Sequence, residues 1–180
     1  KKFPKLKMTL REGVQAEVST WLTDGEIDLG VTVLEGKPPA GIHQEAILEV
    51  PMVLLVPTSL KFKTVDAILK QDRISQTLIS LPPNDSLSRV FLAELNKRKM
   101  AWPVGMEVNA LDLVETYASN GFGIGLTVAI PKRKPPKAVR VLPLNDFPKI
   151  AVGAMWQGKL GVIGRSLVDL FQDRAKELDS

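Results

Sequence analysis

Short apolar runs of strand length recur along this chain, and between them lie segments whose apolar residues repeat at helical spacing. That alternation restricts the chain to an α/β architecture, with mainly parallel sheets expected. The clearest run, Met52-Val53-Leu54-Leu55-Val56, lies between Pro51 and Pro57, neither of which can donate to a ladder. Ile27 with Leu29 to Val33 forms a second, nearly continuous run, as expected of a strand covered on both faces. Further strands are expected at Thr77–Leu81, Glu107–Val108, Ile124–Ile130, Val139–Leu142 and Ala151–Trp156. Near the start, Leu6, Met8 and Leu10 alternate with Lys7, Thr9 and Arg11, the pattern of a half-buried strand.

The helices carry their own punctuation. Val14, Val18, Trp21 and Leu22 share one face, and Asp24-Gly25 stops that helix in the manner of a left-handed glycine cap. Thr64 is placed to cap a short helix through Ile68 and Leu69. Asp85 or Ser86 is placed to cap one carrying Val90, Phe91 and Leu95, and Asn109 one carrying Leu111, Val114 and Ala118. The last helix puts Ile163, Leu167, Leu170, Phe171 and Leu178 on one face.

Composition narrows the chemistry. The chain has no cysteine, which removes disulfides, thiolate zinc sites and cysteine nucleophiles. No apolar run reaches the roughly 18 residues of a membrane span, so no membrane partner is expected, and a soluble, cytoplasmic protein is. The net charge of +4 is spread out, and its densest run, Lys132-Arg133-Lys134 with Lys137, is interrupted by Pro135-Pro136. A solvated loop accounts for that run better than a nucleic-acid surface does.

Catalytic and cofactor motifs fare no better. Gly121-Phe122-Gly123-Ile124-Gly125 has the glycines of a dinucleotide loop, but it ends a helix and opens a strand, the reverse of the order such loops require. A helix cap followed by a tight approach to a buried strand is the expected role. His43, the only histidine, has no second ligand type fixed nearby, and Asp24, Glu26 and Asp28 flank a surface turn. No serine occupies a nucleophile elbow. No catalytic, cofactor or metal residue is therefore expected. The more informative pattern is a repeated short turn from strand into polar helix start, at Glu12-Gly13, Asp85-Ser86-Leu87-Ser88 and Asn109-Ala110. Each serves as a cap by itself, yet amides at helix starts also bind small anions, and in parallel sheets such turns gather where ligands bind.

In order and spacing, these segments resemble the effector domain of LysR-type transcription regulators. The resemblance rests on Phe3-Pro4, Arg11-Glu12-Gly13, Trp21-Leu22, the run Asp24-Gly25-Glu26-Ile27-Asp28-Leu29-Gly30-Val31, and the run Pro51 to Pro57. It continues through Val108-Asn109-Ala110, Leu113-Val114 and Ser119-Asn120-Gly121-Phe122-Gly123-Ile124-Gly125-Leu126 to the closing helix. It implies two Rossmann-like α/β lobes joined by two crossover strands, as in type II periplasmic binding proteins. The first lobe would comprise 1–56 with 150–180 and the second 57–149, crossing near Val56-Pro57 and returning near Lys149-Ile150. The family's first strand and helix have no counterpart here, so part of the effector site and one strand of the first sheet would be missing.

By resemblance, the effector is touched by the strand end at Thr32 and Val33 and by the helix starts at Ser86, Leu87, Ser88 and at Val108, Asn109, Ala110. No cationic clamp is expected from these motifs, and the effector would be a small anion. Such regulators are homodimers or homotetramers, and DNA would be read only through an N-terminal winged helix-turn-helix absent from this chain. The alternative is a periplasmic solute-binding protein of a transporter, which shares the fold.

Overall fold

The computed structural model describes residues 6–71 and 73–179. Five helices, α1 (Gln15–Thr23), α2 (Val65–Leu69), α3 (Ser86–Lys97), α4 (Leu111–Ser119) and α5 (Val162–Asp179), accompany eight strands. The strands are β1 (Gly30–Val33), β2 (Ile42–Val50), β3 (Met52–Pro57), β4 (Leu78–Ser80), β5 (Val104–Glu107), β6 (Ile124–Val128), β7 (Val139–Pro143) and β8 (Ile150–Gln157). They form a three-stranded sheet in the order β1-β8-β2 and a five-stranded sheet in the order β5-β4-β6-β3-β7.

Mainly parallel sheets were the expectation; instead the three-stranded sheet is antiparallel throughout and the five-stranded sheet is mixed. Only β4 with β5 and β4 with β6 pair in parallel. β8 runs antiparallel to both β1 and β2, and β3 runs antiparallel to both β6 and β7. The reason lies in the two crossings: strands that pass directly from one sheet into the other run against the helix-connected ones beside them. β2 continues through Pro51 into β3, and β7 leads through a short loop into β8, with Val50 paired to Ile150 where the crossings lie side by side. Because β3 sits inside the five-stranded sheet, the first crossing lies at Pro51 rather than near Val56-Pro57.

The largest apolar cluster lies under α3 and one face of the five-stranded sheet, around Leu54, Val56, Phe91, Leu95 and Trp102. It extends through Val50 and Ile150 to the crossings, where Val33, Leu48 and Val152 pack against it. α4 covers the opposite face, with Val114 and Ala118 on Leu55 and Ile79. In the other lobe, α1 lays Val18 and Leu22 against Ile42 and Met155.

Leu6–Leu10 takes no part in any ladder, and Met8 and Leu10 are 63% and 83% exposed. Alternation alone does not make a strand; its amides and carbonyls need a neighbour. β1 pairs with β8 alone, so its other edge is open among the described residues. Phe3-Pro4, part of the resemblance, lies outside the described residues.

Candidate functional site

β4 and β5 run in parallel and deliver their carboxyl ends, Ser80 and Glu107, to the same edge of the five-stranded sheet. The turns leaving them start α3 and α4, so two helix starts converge there. Two hydrogen bonds fix this convergence: the Val108 amide donates to the Ser80 carbonyl at 3.0 Å, and the Ser80 and Ser88 hydroxyls lie 2.6 Å apart. Ser88 gives its own proton to the Leu81 carbonyl at 2.7 Å, so Ser80 is the donor between the two hydroxyls. The Ser88 side chain is fully buried and spent on this bracing.

At the start of α3, Asp85 is the N-cap and accepts the Leu87 amide at 2.8 Å. Leu87 itself packs into the core beneath. Ser86 is buried, and among the described residues its hydroxyl meets only a long 3.5 Å contact from Arg89. At the start of α4 the N-cap is Ala110, with no side-chain capping bond. Asn109 stands one residue earlier and is exposed, so the cap expected of it is not made.

The segment after β1 reaches the start of α3 from the other lobe. Thr32 and Val33 are half-buried, and Val33 packs against the cluster that holds Leu87. Two residues on, Glu35 accepts a hydrogen bond from Arg89 of α3, an ion pair that spans the lobes. Arg89 also donates to the Asn84 carbonyl at 2.9 Å, which draws its guanidinium over the helix start. The second carboxylate oxygen of Glu35 is buried and has no partner among the described residues. Sequence reasoning missed Glu35 and Arg89. The available signal was an arginine in the first turn of α3, immediately after Ser86-Leu87-Ser88.

Near the carboxyl ends of β4 and β5 thus lie one guanidinium facing one carboxylate, exposed helix-start groups at Asn109 and Ala110, and the buried Ser86. This set can hold a small polar molecule by charge-assisted hydrogen bonds, provided Arg89 exchanges its partner. Of the other sequence candidates, His43 lies in β2 and stacks on Trp156 with ring centroids 5.9 Å apart. Among the described residues no cluster of three metal-ligating side chains occurs. The glycine motif has the packing role expected of it. Gly121 takes φ +81° beyond α4, and a β-carbon on Gly123 would stand 2.3 Å from the Thr77 carbonyl oxygen.

Two lobes bridged by paired crossings, with the α3 start tied to the segment after β1, match the periplasmic-binding-protein type of fold. The chain belongs to the LysR substrate binding domain family, whose pattern matches residues 1–174. Among solved structures it is similar to the BenM effector binding domain with its effector benzoate: 16% identity, TM-score 0.80, covering 98% of this chain and 82% of that one. It is also similar to the Synechocystis PCC6803 CcmR regulatory domain in complex with 2-PG, at 14% identity, TM-score 0.79, and 98% and 87% coverage. HinK, a LysR family transcriptional regulator from Pseudomonas aeruginosa, is 19% identical with TM-score 0.76; the alignment covers 97% of this chain and 62% of HinK. No curated protein matches the sequence. Among the described residues, no helix is long and apolar enough to cross a membrane.

Proposed function

We propose that this chain is the effector-sensing part of a LysR-type transcription regulator, closing its two lobes on a small anion. The observation that supports the reading is the Glu35–Arg89 ion pair, which in a LysR substrate binding domain joins the segment after β1 to the start of α3, beside the turn that starts α4. Arg89 supplies the charge, while Ser86, Asn109 and Ala110 supply the neutral donors. Thr32 and Val33 form the facing wall; Leu87, Ser88 and Val108 hold the donors in place from beneath. Glu35 occupies the guanidinium until an effector anion replaces it. The relatives' names agree with an acid, since one is described with benzoate.

An effector that favours one arrangement of the lobes shifts the population toward it, and attached DNA-binding domains report the shift. The reading includes a cytoplasmic homodimer or homotetramer that binds its effector without chemical conversion. The family match favours this over a transporter's solute-binding protein.

Calorimetric titration of the chain with a panel of small carboxylates and phosphates tests the reading. One compound should bind, and Asn109→Ala should weaken that binding about tenfold. Because Ala110 rather than Asn109 is the cap, the same substitution should move folding stability by less than about 0.5 kcal/mol. Unchanged affinity in the folded variant would remove Asn109 from the site, and no binding across the panel would reject an anionic effector.

A further inference from the structure

An anion that takes Arg89 leaves Glu35 without its cation. One oxygen of that carboxylate, Oε2, accepts from Arg89; the other, Oε1, is buried and has no partner among the described residues. The Glu35 side chain is 24% exposed against 47% for Arg89, so the carboxylate is the more deeply held half of the pair. Deprived of its cation there, it keeps its desolvation cost with nothing to offset it. Lys37, two residues on, is exposed and does not bond to Oε1. The same turn holds a second acceptor in want of a donor. Gln44 of β2 donates its amide nitrogen to the Gly36 carbonyl at 3.2 Å, and its Oε1 is buried and unpartnered among the described residues. A plain carboxylate brings no donor to either.

The two halves of the pair also belong to different lobes. A plain carboxylate on Arg89 breaks a tie between the lobes and sets its own charge beside that of Glu35, a like-charge contact that favours opening. Closure needs the opposite. A ligand with both a carboxylate and an ammonium extends the tie instead of cutting it, and the ammonium brings three N–H donors to a turn that lacks them. An α-amino acid carries its two charges one carbon apart, a spacing suited to two side chains already in contact.

Resting on the closing of the lobes proposed above, we infer that the effector is a zwitterion of the α-amino acid kind, its carboxylate on Arg89 and its ammonium on Glu35.

The test is calorimetric titration of the 180-residue chain with the proteinogenic amino acids, each beside the acid that lacks its amino group, such as propionate for alanine, glutarate for glutamate and hydrocinnamate for phenylalanine. One amino acid should bind, and its deamino partner at least about tenfold more weakly. Glu35→Gln should weaken the amino acid about tenfold and tighten the deamino acid, since Arg89 then has no competing carboxylate. A merely structural role would move both in one direction. Glu35→Asp, which keeps the charge, should keep the preference for the amino acid. The comparison in the parent chain needs no variant, so it decides the matter even where Glu35→Gln does not fold. A deamino acid bound as tightly as its amino acid, as would follow if Lys37 covered Glu35, overturns the zwitterion and leaves the anionic reading intact. So does a carboxylate or phosphate that binds when no amino acid does. Unchanged amino acid affinity in folded Glu35→Gln overturns it likewise, and no binding by any compound overturns both readings.

Discussion

Glu45, in the middle of β2, receives both terminal nitrogens of Arg165 at 2.8 Å and a further hydrogen bond from Gln172, and so fastens α5 to the three-stranded sheet. The hydrogen bonds from Arg165 hold its carboxyl below the ordinary glutamate value. A carboxyl whose pKa is depressed on folding contributes stability above its unfolded pKa and loses it as pH falls through the folded one. Glu45→Gln should lower the melting midpoint by roughly 2–4 °C at neutral pH. The difference from the parent should shrink below the ordinary glutamate pKa, once the parent's own carboxyl is protonated. Thermal melts at neutral and acid pH measure both, and a gap that widens in acid would contradict the assignment. At this scale the sequence was only partly legible. Thr64 and Asp85 make the caps expected of them. Asn109 does not, because the chain starts α4 one residue later, and an asparagine before a helix looks alike in either frame.

Helix starts and strand edges show why some elements could be read and others could not. β3 was plain because prolines and a continuous apolar run marked it. β2 was not expected: Ile42 to Val50 mixes polar and apolar residues without strict alternation, and its ladder is interrupted between Ala46 and Leu48. The opposite error, a strand at Leu6–Leu10, came from a clean alternation that has no partner to pair with among the described residues. β1 feels the same lack, with Val31 48% exposed at the open edge. In hydrogen exchange, the β1 amides that point away from β8 should exchange fast and those bonded to β8 slowly. Uniform protection along Gly30–Val33 would show that the edge is covered. At α4, Ala110→Ser supplies the missing capping oxygen and should raise stability by about 1 kcal/mol, measured by denaturant unfolding. No gain would mean that the Asn109-Ala110 turn cannot orient a capping hydroxyl.

Across the whole molecule, the two lobes are joined by the adjacent crossings, by the ion pair of Glu35 with Arg89 and by a hydrogen bond from Lys132 to the Glu177 carbonyl. Two lobes and two crossings followed from the resemblance, whereas their joining by charge needed coordinates, because Glu35 and Arg89 stand 54 residues apart in sequence. The same long-range fact revises the ligand expectation. A cation is present at the α3 start, already held by a carboxylate, so in the reading proposed above an effector anion would enter by exchange rather than into free amides. A crystal structure of the chain with the tightest-binding small carboxylate or phosphate should place it between Ser86, Asn109 and the end of β1, with Arg89 turned from Glu35 onto the ligand. An anion bound elsewhere, with the Glu35–Arg89 pair intact, would contradict it.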